Sequence, residues 1–107
     1  EAASDFAVRH GCTVVRKGPE TVCAFPDGDA AVLRAGNPGM AKGGSGDVLT
    51  GLLASLLAQS TEPFAACCAA VWLHGRAGDL AAADKGCRGM TPVDMIEKLP
   101  YALKEVE

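Results

Sequence analysis

Apolar and polar positions change period along the chain, and each change marks an element. Over Glu1 to His10 the apolar residues Ala3, Phe6 and Ala7 recur at helical spacing, and Gly11 follows in the usual stop position. Cys12 to Val15 is a short β-branched run that predicts a buried strand, broken by Arg16-Lys17-Gly18-Pro19. Thr21 to Phe25 predicts a second strand, Pro26-Asp27-Gly28 a turn, and Ala30 to Leu33 a third strand closing a hairpin. From Asp47 to Gln59 the chain is apolar almost all round, with Gly51, Ala54, Ser55 and Ala58 as a stripe of small residues, which predicts a buried helix. Pro63 suits the first turn of another helix, which runs through Trp72 and His74 to about Ala83, provided something packs against Gly75 and Gly78. After a loop over Gly86 to Gly89, Thr91 caps a last helix with Pro92 at its first position and Asp94 nearby, ending before Pro100. Helix, strand, hairpin and then helices make an α/β layered fold, with too few strands for a full sheet.

Composition narrows the class without naming a chemistry. The 107 residues are 49% apolar and 21% charged, with a net charge of −3 and few aromatics. That is ordinary for a globular chain, and no basic run interleaved with aromatics points to nucleic acid. The longest apolar run, Phe64 to Leu73, is too short to span a bilayer, so no membrane role and a cytoplasmic location are expected. The five cysteines, Cys12, Cys23, Cys67, Cys68 and Cys87, have neither disulfide nor zinc-site spacing and are read as small buried hydrophobes. The absence of an initiating Met and the opening inside an amphipathic helix are read as a fragment lacking its upstream part.

The chemistry is concentrated between Gly36 and Asp47. Five glycines in the eleven residues Gly36 to Gly46 permit backbone shapes that other residues resist, and a helix follows at once. Loop N–H groups, the unpaired first-turn N–H groups and the positive helix end together form an anion cradle suited to phosphate. A P-loop is excluded because Lys42 stands between Ala41 and Gly43, and a dinucleotide fingerprint because Leu49 occupies its third glycine position. Asp47 either complements the helix dipole or is the base that takes a proton from a hydroxyl attacking phosphorus; the second reading is preferred. Lys17 contacts phosphate or solvates a strand end, and Lys42 faces phosphate or solvent. His74 is read as a packing histidine, Asp79 as a structural acid and Met40 as loop packing.

The run GNPGMAKGGSGDVLTGLLASLLAQ resembles the signature of the NAD(P)H-hydrate dehydratase family, a branch of the ribokinase-like superfamily. The GGSGD core is similar to that superfamily's anion hole and aspartate, while LHGRAGD (Leu73 to Asp79), GMTPVDMIEKLP (Gly89 to Pro100) and VVRKGPETV (Val14 to Val22) point to the dehydratase branch. Arg16 and Pro19-Glu20 depart from the family's pattern beside the nucleotide. The resemblance implies a three-layer α/β/α sandwich, of which this chain is the C-terminal portion, with short strands and a hairpin followed by helices. It implies dehydration of hydrated NADH or NADPH, with ADP or ATP and Mg2+ activating the ring hydroxyl as a phosphate that is then eliminated. It places Lys17, Gly18 and Thr21 at a nucleotide-binding strand end, Asn37, Gly39, Met40, Ala41, Lys42, Gly43, Gly44, Ser45 and Gly46 in the phosphate loop, and Asp47 against the hydrate. The alternatives are a ribokinase-like small-molecule kinase and a non-catalytic nucleotide-binding fragment. A homo-oligomer stays open.

Overall fold

The computed structural model describes residues 2–18, 20–60 and 62–107. Glu1, at the head of the predicted first helix, and Pro19, of the break after the first strand, lie outside them. The described residues form two compact units, divided between Arg34 and Ala35.

In the first unit, helix α1 (Ala3–His10) packs its small face on a three-stranded antiparallel sheet. Ala3, Ala7 and Ala24 are buried together, with Val14 and Val22 against them. Phe6, expected on the same face, stays 42% exposed and stacks on His10, with ring centroids 4.2 Å apart. Gly11 ends α1 in the left-handed region at φ 63°, as its position predicts. Strands β1 (Val14–Arg16), β2 (Thr21–Ala24) and β3 (Ala30–Leu33) lie in chain order, with Val15 opposite Cys23 and Cys23 opposite Ala31. The first strand starts two residues later than expected and takes in Arg16, and it is half-buried rather than buried, because only one face meets the helix. Gly28, at φ 97°, closes the hairpin, whose turn is held by Phe25 N–H on Asp29 O and Gly28 N–H on Phe25 O.

The second unit is helical. A single 3₁₀ turn (Pro38–Met40) precedes α2 (Ser45–Gln59), α3 (Pro63–Gly89) and α4 (Pro92–Lys104). Four expectations are corrected here. Helix α2 begins at Ser45, two residues early, because Gly44 at φ 98° turns the chain into the helix. It is also not buried: only Ser45 and Leu49 are, while the small-residue stripe of Gly51, Ala54, Ser55 and Ala58 is exposed. Helix α3 does not stop at Ala83 but continues to Gly89 across a kink at Gly86 (φ 77°, ψ 159°). The glycines that threatened α3 are covered, since a Cβ at Gly75 would lie 2.4 Å from the Ala35 Cβ and one at Gly78 2.3 Å from Met40 Sδ. Helix α4 continues through Pro100, whose ring removes one ladder N–H. The turn beyond it is held by packing and charge: Ala102 is fully buried, and Arg76 on α3 grips Glu105 through two bonds of 2.7 and 3.0 Å. At the other end Thr91 and Asp94 form the expected capping box. Buried Ala81, Met90 and Met95, with Met40 and Ala82 against them, form the core beneath the glycine-rich loop.

Candidate functional site

The loop from Gly36 to Gly44 is held from beneath, which sorts the predicted site residues into those that anchor and those that face outward. Asn37 does the first work. Its Oδ1 accepts from Gly39 N–H at 2.9 Å and from the Cys87 thiol at 3.5 Å, and its Nδ2 donates to Asp79 at 3.1 Å. Gly39 is buried against the last turn of α3, where a Cβ would meet the Cys87 carbonyl at 2.6 Å, so no larger residue fits without displacing backbone. Met40 turns inward over Gly36 and Gly78, which bears out its reading as loop packing. Lys42 faces neither solvent alone nor an open concavity. Its ammonium donates to the carbonyls of Cys87, Arg88 and Met90, where the kinked end of α3 leaves them without ladder partners. Ala41 is exposed. Ser45 is buried: its N–H donates to Lys42 O, and its hydroxyl lies 3.4 Å from His74 Nε2 and 3.9 Å from Met95 Sδ.

What faces outward is narrower than the twelve-residue run. Among the described residues, the N–H groups of Gly43, Gly44 and Gly46 have no acceptor within the chain, and no side chain caps α2. A Cβ at Gly43 would meet nothing within 4 Å. Asp47 is exposed on the first turn of α2, and its backbone N–H is spent on Gly44 O. Three open N–H groups at the positive end of a 15-residue helix are donors of the kind that suit phosphate oxygens. A shallow groove of about 360 Å³ starts at Asp47 and runs between α2 and α4, lined by Val48, Leu52, Ile96 and Leu99. A carboxylate thus stands between open backbone amides and an apolar trough. Lys17, Gly18 and Thr21 belong to the first unit; Lys17 and Gly18 are exposed just after β1, and Thr21 is half-buried at the start of β2. Among the described residues no group of three or more His, Cys, Asp or Glu is arranged to hold a metal ion.

His74 is the buried, hydrogen-bonded packing residue expected, and Asp79 the structural acid, each with a partner on the glycine-rich run. Asp79 accepts from Gly36 N–H and Asn37 Nδ2, and His74 Nε2 lies 2.9 Å from the Ser45 carbonyl. The sequence signals on this stretch were the pair of glycines between them, which implied that something packs closely on α3, and the family-like run LHGRAGD that holds both residues. The cysteines are less uniform than expected: Cys23 and Cys67 are buried, but Cys87 is exposed beside Asn37. Burial, and next the neighbouring Cys68, push the Cys67 thiol above its ordinary range.

Open glycine amides at a helix start, with a carboxylate one step beyond, are groups suited to a phosphate-handling class of protein. The comparisons are more specific: the chain belongs to the NAD(P)H-hydrate dehydratase family, whose pattern matches residues 1–101. It is 44% identical over its whole length to the bifunctional NAD(P)H-hydrate repair enzyme Nnr of Moorella thermoacetica, covering 20% of that protein. It is 53% identical, over 65% of its length, to the ADP-dependent (S)-NAD(P)H-hydrate dehydratase of Neisseria meningitidis, covering 24% of that one. Among solved structures, the ADP/ATP-dependent NAD(P)H-hydrate dehydratase of Bacillus subtilis, co-crystallised with ATP and Mg2+, superposes with a TM-score of 0.94 at 35% identity, over 98% of this chain and 38% of that one. A ribokinase-like superfamily protein of Enterococcus faecalis superposes with a TM-score of 0.82 at 32% identity, over 95% of this chain and 35% of that one. The fold is therefore part of the ribokinase-like architecture, and the chain spans about a fifth of the length of the first curated relatives it matches.

Proposed function

We propose that the protein carrying this chain dehydrates hydrated NADH and NADPH at the expense of ADP or ATP, and that this chain supplies its phosphate cradle and its base. The observation that carries the reading is the juxtaposition of the open N–H groups of Gly43, Gly44 and Gly46 with the exposed Asp47 carboxylate on the same first turn of α2. Family membership and the nucleotide dependence in the names of the relatives support it.

The chemistry needs both parts. A ring hydroxyl is a poor leaving group. Asp47 takes its proton as the oxygen attacks the terminal phosphorus, and the nucleotide leaves shorter by one phosphoryl group. The ring C–O bond then breaks with its electron pair on the departing phosphate, a proton is lost from the adjacent carbon, and the double bond of the reduced cofactor returns. The open amides stabilise charge on the phosphoryl oxygens as it is transferred. Magnesium accompanies the nucleotide, held chiefly by phosphate and water. The resemblance of VVRKGPETV adds Lys17, Gly18 and Thr21 as nucleotide contacts, and that of the glycine-rich run adds Asn37, Gly39, Met40, Ala41, Lys42 and Ser45. In this chain Asn37, Gly39, Met40, Lys42 and Ser45 also hold the loop's shape.

Asp47→Asn in the whole protein tests the reading. Turnover of hydrated NADH, followed as recovered NADH, is expected to fall by about two to four powers of ten, the usual weight of a general base. ADP and ATP affinity holds or rises, because a negative charge beside phosphate is removed. Full turnover in this variant would remove Asp47 from the chemistry. Accumulation of a stable phosphorylated alcohol in place of recovered cofactor would favour a small-molecule kinase.

A further inference from the structure

Besides the kinked end of α3, four residues in its middle meet the glycine-rich loop, and helix geometry places them in order. At about 100° per residue, His74, Gly78, Gly75 and Asp79 lie at roughly 0°, 40°, 100° and 140° around the axis, one continuous arc. The outer two positions carry polar side chains and the inner two carry none. Ala35 fills the space over Gly75, and Met40 fills that over Gly78. Asp79 holds the start of the loop through Gly36 and Asn37. His74, 7% exposed, holds its end through Ser45, which is 6% exposed.

The His74 bond has a direction. A carbonyl only accepts, so Nε2 carries the proton and donates to Ser45 O at 2.9 Å, with the Ser45 hydroxyl 3.4 Å from the same nitrogen. The Ser45 carbonyl and the Gly46 N–H belong to one planar trans peptide, so they point in opposite directions. Drawing the carbonyl in toward His74 aims the Gly46 N–H outward, and that group is one of the three open amides. The peptide lies in the first turn of α2, where the helix ladder offers the Ser45 carbonyl one hold and His74 adds a second from outside the helix.

We propose that His74 is a positioning residue for the phosphate cradle: by gripping the Ser45 carbonyl at the first turn of α2, where helices fray, it keeps the Ser45–Gly46 peptide in its helical orientation with the Gly46 N–H open to the phosphate, and Asp79 secures the opposite end of the loop. The inference rests on the proposed function in taking the loop as the phosphate site. His74 itself touches no substrate. A histidine serving only to fill space would be replaceable by any side chain of its size.

The test compares His74→Leu, which keeps bulk and loses the donor, with His74→Gln, whose side-chain amide can still donate to the Ser45 carbonyl. Both are made in the whole protein and followed by calorimetric titration with ADP and ATP, by steady-state kinetics and by thermal melting. His74→Leu is expected to bind nucleotide more weakly and to lose about a hundredfold in kcat, the scale of a small misplacement at a reacting centre. His74→Gln is expected to recover most of both, at a melting temperature no higher than that of the leucine variant. If the leucine variant does not fold, His74→Asn, whose amide is too short to reach Ser45, takes its place against His74→Gln. Equal impairment in the paired variants, or unchanged nucleotide affinity and kcat in a folded His74→Leu, would overturn the proposal while the cradle stood. A wild-type protein that binds neither ADP nor ATP would overturn the cradle, and the positioning role with it.

Discussion

Gly44 shows how much one residue decides. It is the N-cap of α2 at φ 98°, a region that side-chain-bearing residues rarely enter, and a Cβ there would also touch Pro92 at 3.4 Å. Gly44→Ala is expected to cost about 1–2 kcal/mol of stability. It is also expected to weaken ADP binding about tenfold, the affinity equivalent of about 1.4 kcal/mol, as the chain leaves the strained geometry. Gly43→Ala is the control. Its Cβ would meet nothing within 4 Å and its φ is not positive, so stability should stay within about 0.5 kcal/mol of wild type. Chemical denaturation and calorimetry distinguish the two, and equal behaviour would show that the conformation of Gly44 is not what shapes the loop. At this scale the glycines and Asp47 were legible in the sequence because their chemistry is local. The partners of Lys42 and Ser45 were not, since Lys42 finds Cys87, Arg88 and Met90, and Ser45 finds His74, from 29 to 48 residues away.

Among the elements, α4 carries the most local information and shows where such information stops. Its capping box reads directly from Thr91-Pro92-Val93-Asp94, whereas the ion pair from Lys85 to Asp94 at 2.8 Å depends on how α3 ends. The Lys85 bond, with the Thr91 backbone N–H next, holds the Asp94 carboxyl below its ordinary value of 3.8, and the Asp94 bond raises the Lys85 ammonium above 10.5. The signs follow. A carboxyl whose pKa is lowered by folding contributes stability above its unfolded value and loses that contribution as pH falls through the folded one. An ammonium whose pKa is raised contributes below its unfolded value and loses that as pH rises through the folded one. The pair therefore works between about pH 3.8 and 10.5. Asp94→Asn keeps an oxygen for Thr91 but no charge for Lys85. It should melt lower than wild type at pH 7, with the gap narrowing as pH falls below 3.8; a gap that does not narrow in acid would rule out the charge as its source. The end of α4 was misjudged because Pro100 is a local stop signal, and the buried Ala102 and the Arg76–Glu105 grip that override it are tertiary.

At the scale of the whole molecule, α2 is the unresolved face. Leu52, Leu53 and Leu56 are only half-buried, Leu57 is 40% exposed, and Ile96 across the groove is 50% exposed. A monomer that leaves so apolar a helix uncovered is prone to associate. Residues 1–107 expressed alone are expected to self-associate, and to recover no NADH from hydrated NADH in the presence of ADP or ATP. Size-exclusion chromatography with the recovery assay checks both, and an active, monodisperse monomer would refute the expectation. The aligned share of the Bacillus subtilis structure, 38% of that chain, is consistent with cover supplied by further polypeptide. Among the described residues no helix is long and apolar enough to cross a membrane.

The order of elements, the hairpin turn at Gly28, the caps at Gly11 and Thr91, and the glycine-rich run ending at Asp47 were determined by the sequence alone. Each depends on residues within a few positions of one another, where backbone freedom and short-range hydrogen bonds decide. Which loop groups turn inward and which open amides remain was decided only by tertiary structure. So were the survival of α3 past its glycines and of α4 past its proline, and the tie from His74 to a carbonyl 29 residues earlier. Those outcomes depend on side chains brought together from distant parts of the chain, and burial of the atoms they share, rather than any local preference, selects among them.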